Sequence, residues 1–444
     1  MAETIAANAS ATRAFFVDML VRDIGVDGAI LDLVDNSIDA AVAHSSQREG
    51  LGLFWVEVVF NSDYFEIRDN CGGIDVETAR NYAFRFGRAR EFNPKSKIGE
   101  FGIGMKRAVF RLGRKFLVES STTDASFSVD VDVATWREQR GEWTFPMVVS
   151  DPLGDSGTRV KVTELNQGVA ELLDGEEYSN RMLQEIAEAH SEALRLGMQL
   201  TVNKIPADAR LHEVLNGAGI APENQTIELV SGDHPVKLRI VAGIGPDRRS
   251  RSESGWYIYC NGRLVLKADR TPLTGWGTGG TGQSDGIPAW HPQYARFRGF
   301  VFFESEHPAA LPWTTTKTEI DEFSPVYQNA LGRMRTVIRR FTSFTNELDQ
   351  ERERYQESEG DAPQVIQEAI GKAELVAVND LPEGEFAVPE RGRIKRTPSG
   401  PKMTRVLFHA QADQVGELKA AFGLTTNRAV GELAFERLYE EEIA

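Results

Sequence analysis

The chain has 444 residues, of which 41% are hydrophobic and 26% charged, and its formal net charge is −16. That length exceeds what one core supports, so two or three domains are expected. The acidic balance argues against a uniformly basic nucleic-acid binder, while leaving room for local basic patches. Two cysteines, Cys71 and Cys260, exclude a disulfide framework and fit a reducing cytosol. No run of eighteen apolar residues and no signal-peptide pattern is found, so the expectation is a cytoplasmic protein without a membrane segment.

Residues 1–15 are small and polar and read as an arm. From Ala29 to Ala41, Ile30, Leu33, Val34 and Ile38 recur at helical spacing. Asp32, Asp35, Asn36 and Asp39 recur at the same spacing around another side. Three carboxylates and an amide on one helix face repel each other unless a cation or a bound water gathers them. Alternatively, the segment is an acidic surface helix. Phe54 to Phe60 and Tyr64 to Arg68 read as a strand pair around Asn61-Ser62-Asp63. An acidic, glycine-bearing turn follows at Asp69-Asn70-Cys71-Gly72-Gly73. Glycine permits positive φ and close approach of a ligand.

The segment Ile98-Gly99-Glu100-Phe101-Gly102-Ile103-Gly104-Met105-Lys106 is a glycine loop opening a helix that continues through Val109, Phe110 and Leu112. Backbone N–H groups at such a start attract phosphate, and Lys106 adds charge. The P-loop spacing is absent, and so is the βαβ setting of a dinucleotide fingerprint. Strand patterns follow at Lys115 to Ser120, Ser126 to Val133, Glu142 to Val149 and Thr158 to Glu164, and a helix at Glu177 to Gly197. A mixed sheet with helices on one side satisfies these patterns.

The helix, the Asp-Gly turn, the glycine loop and the later Gly157-Thr158-Arg159-Val160 strand resemble, in that order, the signature boxes of the GHKL ATPase superfamily. This superfamily includes gyrase B subunits, MutL and MORC proteins, histidine kinases and the ninety-kilodalton heat-shock chaperones. The resemblance implies ATP and Mg²⁺ as ligands. It implies Asn36 on the metal and Asp69 on the adenine amino group. Gly73 would allow close packing beneath the ring, and Gly99, Gly102 and Gly104 would belong to a mobile lid. Lys106 would sit near the phosphates, and Thr158 would support the water beside Asp69. The family base is a glutamate four residues before the asparagine; here that position is Asp32, one methylene shorter, which implies slow turnover or a compensating shift. Cys71 stands where the turn's first glycine is expected and reads as a small buried thiol.

Beyond residue 200, Val236 to Ala242 and Trp256 to Leu266 alternate, the latter around Asn261-Gly262 as a hairpin. This part resembles the transducer domain of MORC and MutL proteins. In that resemblance Leu311 to Asp321 is the loop that carries a lysine, Lys317, to the γ-phosphate, where its charge would stabilise the transferring group. Thr271 to Gly286 is glycine-rich and reads as a loop. Ser324 to Glu357 is one long helical pattern with Val326, Ala330, Met334, Ile338 and Phe341 in a stripe. Residues 361–402 are rich in Pro, Gly and charge and read as a linker, with a basic run from Arg391 to Arg396. Residues 403–444 read as strand, helix, cap at Thr425-Thr426-Asn427 and second helix, a pattern resembling a ribbon-helix-helix unit.

The expected class is therefore α+β: an ATP-binding α/β sandwich of the Bergerat type over 1–200 and an α/β transducer over 201–323. A long helix over 324–360, a flexible basic linker over 361–402 and a small module over 403–444 complete it. The expected function is an ATPase acting as an ATP-stabilised homodimeric clamp, with DNA as the expected partner and further partner proteins open. The alternatives are a chaperone-like protein remodeller and an ATP-binding switch with little turnover. A histidine kinase is disfavoured because His44, the only histidine before the Asp-Gly turn, follows the asparagine helix.

Overall fold

A computed structural model describes residues 12–22, 24–45, 50–86, 104–139, 141–246, 251–278, 286–314, 316–357, 362–389, 406 and 409–443. The chain divides into two compact units, Met1–Arg391 and Gly392–Ala444. The first unit opens with helices α1 (Arg13–Arg22) and α2 (Val26–His44). Strands β1 (Trp55–Phe60) and β2 (Tyr64–Asp69), a short turn α3 (Val76–Thr78) and helix α4 (Gly104–Leu112) follow. Next come β3 (Gly113–Ser121), β4 (Ser126–Asp132), α5 (Val133–Glu138), β5 (Val148–Ser150) and β6 (Gly157–Leu165). Helices α6 (Gln167–Leu173), α7 (Glu176–Ala189) and α8 (Ser191–Arg195) lead to β7 (Gln199–Val202) and β8 (Ile205–Pro206).

The eight strands form one sheet in the order β5-β4-β3-β6-β2-β1-β7-β8. It is mixed, because β1 and β7 run parallel while β1 and β2 are antiparallel. Its register explains both the core and the polar site. Phe60, Phe65, Val162 and Phe116 form one row across four strands, and Val58, Ile67, Val160 and Val118 the next row on the same face. All eight are buried. One step further along, the row is Val56, Asp69, Thr158 and Ser120. Alternation therefore puts three polar groups at the rim of the apolar face that α2 covers with Ile30, Leu33, Val34 and Ile38. The opposite face carries Arg159 paired with Glu66 and Glu119, as suits a sheet covered on one side.

The helix expected from Glu177 to Gly197 is broken: α7 ends at Ala189, and His190 takes φ −120° and ψ 26° before α8. The break turns the His190 ring into the interior. The sheet also runs past residue 200, through β7 and β8.

The second sheet holds β10 (Glu223–Ser231), β11 (His234–Ile244), β12 (Gly255–Cys260), β13 (Arg263–Asp269) and β14 (Phe297–Glu304), in the order β10-β11-β14-β12-β13. The preceding strand β9 (Glu213–Asn216) lies outside it. Asn261 and Gly262 both have positive φ, +48° and +79°, as a two-residue hairpin turn between β12 and β13 requires. Helix α9 (Pro325–Glu357) lays its stripe, Val326, Ala330, Met334, Ile338 and Phe341, into the core with Trp256, Phe297 and Phe303. The span read as a flexible linker from 361 contains ordered structure through Pro389: helix α10 (Val365–Lys372) and strand β15 (Glu374–Ala377), which pairs with β9. Val378 and Leu381 pack with Tyr257, Tyr259 and Phe300 on the sheet's other face. Apolar residues spaced through a charged, Pro-rich segment carry this packing, and composition alone hides it. The basic run at 391–396 lies outside the described residues.

The second unit contains α11 (Ala412–Phe422) and α12 (Asn427–Glu442). Gly423 caps the first at φ +67°, and the Thr426 hydroxyl accepts from Ala429 N at the start of the second. The strand expected over 404–410 falls largely outside the described residues.

Gly299 tests the packing of the second sheet. A Cβ there would stand 2.4 Å from the Trp256 ring. Gly299→Ala is expected to lower stability by about 1–3 kcal/mol, read as a lower urea midpoint by tryptophan fluorescence.

Candidate functional site

Asp69 ends β2 beside Thr158, and three donors converge on it. Ser37 Oγ donates to Oδ2 at 2.7 Å, and the backbone N–H groups of Cys71 and Thr158 donate to Oδ1 at 3.0 and 3.2 Å. Ser120 Oγ lies 2.9 Å from Thr158 Oγ1 and accepts from Ile74 N at 2.7 Å. Burial raises the Asp69 carboxyl above its ordinary value, partly offset by those donors. Gly73 has φ +73°, and a Cβ there would meet the Ser121 carbonyl at 2.0 Å. The turn therefore closes onto the ends of β3 and β6 only with glycine at that position. Cys71 is buried and its thiol is pushed up by burial, so it is inert.

Helix α2 crosses above this floor. Asn36 is exposed on it, whereas Asp32, Asp35 and Asp39 are buried. The buried carboxylates meet cations. Asp32 Oδ2 lies 2.5 Å from Arg107 Nη2 on α4. Asp35, fully buried, accepts a hydrogen bond from Lys317 Nζ at 2.7 Å, with Arg263 Nε at 3.1 Å and His190 Nε2 at 3.4 Å. Lys317 Nζ also stands 3.6 Å from Asp32 Oδ1. Burial alone would raise Asp35, but the Lys317 and Arg263 cations hold it below its ordinary value. Burial opposes the charge on Lys317, and Asp35 and Asp32 together lift its ammonium above the usual range. Burial pushes His190 down to about 3, so it is neutral at physiological pH.

The predicted residues thus separate into clusters. Asp69, Gly73 and Thr158 share the sheet rim. Asp32 and Lys317 share a charge network, and Asn36 sits between on the open side of α2. Gly104 begins α4 beside Asp32, where an added Cβ would stand 3.4 Å from Oδ2. Lys106 faces another way: it donates to the Ala83 carbonyl at 2.9 Å, and burial pushes it down to about 7. Arg107, not Lys106, is the α4 cation on the Asp32 side. Gly99 and Gly102 lie outside the described residues. Sequence reasoning did not single out Ser37, Ser120, Arg107, His190 or Arg263 as site residues. Ser37 adjoins Asn36 and Ser120 is two strands from Asp69, so only the register brings them in. His190 carries no sequence signal.

Residues 24–166 match the family model of histidine kinase-, DNA gyrase B-, and HSP90-like ATPases. The chain accordingly carries a GHKL-type ATPase domain, and its α+β fold, a large mixed sheet with a further α/β part and C-terminal helices, agrees with that assignment. No curated protein matches the chain. Among the described residues no helix is long and apolar enough to cross a membrane.

His190 gives a pH test. Its folded value lies below its ordinary 6.5, so the unfolded chain takes up a proton that the folded one refuses. Stability is then present above pH 6.5 and falls as pH drops from 6.5 toward 3. His190→Gln is expected to be flatter, with wild type losing about 2 kcal/mol more than the variant between pH 7 and pH 5, measured by urea unfolding at both values.

Proposed function

We propose that this protein binds and hydrolyses ATP on the open side of α2, and that turnover gates a homodimeric clamp acting on DNA. The observation that carries the ATP site is Asp69: a half-buried carboxylate at the sheet rim, fixed by Ser37, Cys71 and Thr158, on the side where Asn36 is exposed. Asp69 is the acceptor for the adenine amino group, with the Thr158–Ser120 pair behind it and Gly73 keeping the floor thin.

Asn36 is the protein ligand for Mg²⁺. Asp32 and Asp35 on the same helix are committed to Arg107, Lys317 and Arg263, and among the described residues no three acidic, His or Cys groups gather as a metal cluster. The exposed Asn36 amide oxygen would hold the ion, as suits a hard cation that needs few protein ligands. When bound, the ion neutralises phosphate charge.

Asp32 accepts the proton of the attacking water. Lys317 exchanges its contacts with Asp35 and Asp32 for the γ-phosphate, which draws the loop of residues 311–321 and the second sheet with it. The loop holds Lys317 at φ +55°, an uncommon conformation for a side-chain-bearing residue and one suited to a switch point. An ATP-binding switch with slow turnover is the alternative reading, because Asp32 is one methylene shorter than the glutamate expected at that position. The basic run at Arg391 to Arg396 and the C-terminal unit support DNA as partner.

Asn36→Ala is expected to lose Mg·ATP binding in calorimetry, and unaltered binding would refute the site. Asp32→Asn is expected to bind ATP yet turn over at least about 100-fold more slowly; unchanged phosphate release would remove Asp32 as the base. ATPase activity is expected to rise with DNA and to lose that stimulation as salt is raised. Stimulation by an unfolded protein instead, with none by DNA, would support the remodeller.

A further inference from the structure

The Asp32–Arg107 pair holds more than the ATPase assignment requires. Both side chains are almost completely buried, at 3% and 2% exposure, and they come from α2 and α4, 75 residues apart in sequence. Taking two charges out of water is tolerated only where their geometry is good. At 2.5 Å, with a guanidinium donating to a carboxylate, it is.

The contact is also asymmetric. Oδ2 accepts from Arg107 Nη2, and a Cβ added at Gly104 would come within 3.4 Å of the same oxygen. Oδ1 is left with Lys317 at 3.6 Å, beyond hydrogen-bond distance. One oxygen is clamped to the first turns of α4, and the other faces the lysine of the loop after β14. Lys106, its neighbour, donates to the Ala83 carbonyl.

An aspartate at this helix position has one methylene less reach than a glutamate, so its carboxylate needs a fixed seat to meet a water productively. We propose that Arg107 is a positioning residue that clamps Oδ2 of Asp32, leaves Oδ1 to accept the proton of the attacking water, and makes that placement depend on α4 being docked. This inference rests on Asp32 acting as the base.

The competing account is that the pair merely fastens α2 to α4. Arg107→Lys separates the two, because it keeps the charge but loses the planar fork. Positioning predicts ATP affinity within about threefold of wild type and a similar thermal midpoint, with kcat about 10- to 100-fold lower, as a small misplacement of a reacting group costs. A second arm uses the methylene. Arg107→Ser alone is expected to be slow, and Asp32→Glu added to it is expected to recover at least about tenfold in kcat, because the longer carboxylate no longer needs the clamp.

An unchanged kcat in Arg107→Lys, or a kcat loss that only follows losses of affinity and thermal midpoint, would overturn the proposal. So would a double variant no faster than Arg107→Ser. Asp32→Asn, measured beside them, isolates the premise: persistent turnover there removes the base itself, whereas its loss together with an indifferent Arg107→Lys refutes only the positioning role.

Discussion

A fully buried carboxylate, Asp35, decides how the first unit holds together. A charge with no exposure survives only if cations reach it. Two come from separated places, Lys317 from the loop after β14 and Arg263 from the start of β13, and the neutral His190 packs beside them from the break between α7 and α8. α2 belongs to the first sheet, while Arg263 and Lys317 belong to the second part of the unit. The apolar core runs between them without specifying one register, since hydrophobic contact is non-directional. A buried charge cluster is specific about its partners, and the Arg263–Asp35 ion pair at 3.1 Å ties α2 to β13. The left-handed backbone of Lys317 is a cost of order 1 kcal/mol or more that this anchoring offsets.

The same cluster joins the seam to the chemistry. Lys317 stands between Asp35 and Asp32, and Asp32 between Lys317 and Arg107. A continuous line of alternating charge therefore runs from α4 through α2 to the second sheet. A change of partner at any point along it alters the electrostatic balance at the next. An anion that competed for the shared lysine would shift this balance along the whole line.

Much of this was legible in the sequence, for identifiable reasons. The stripe on α9, the hairpin at Asn261-Gly262 and the two amphipathic sides of α2 are local periodicities, and local periodicity is what a sequence states most directly. Asp69, Gly73 and Thr158 were singled out by resemblance, and the register makes Asp69 and Thr158 neighbours. What escaped were features set by long-range packing. The break at His190 has no glycine or proline to announce it. Helix α10 and strand β15 sit in a stretch whose composition speaks for a linker, and only their pairing with β9 orders them. Arg107 and Lys106 are adjacent in sequence, and which of them faces Asp32 depends on how α4 is rotated, a matter of tertiary contact. Residue 390 onward to the helices of the second unit lies largely outside the described residues.

The sheet register has a wider consequence. Asp69, Thr158 and Ser120 occupy the row immediately beyond two all-apolar rows on one face. A slip of one residue in β2 or β6 would carry that strand's apolar side chains out of the core and turn Asp69 or Thr158 to the opposite face at the same stroke. The polar rim and the core are thus inherited together: no misregistered conformer keeps the acceptor while losing the packing. A ligand that recognises Asp69 with its neighbours acts as a proofreader of strand pairing, because it stabilises only molecules whose sheet has closed correctly.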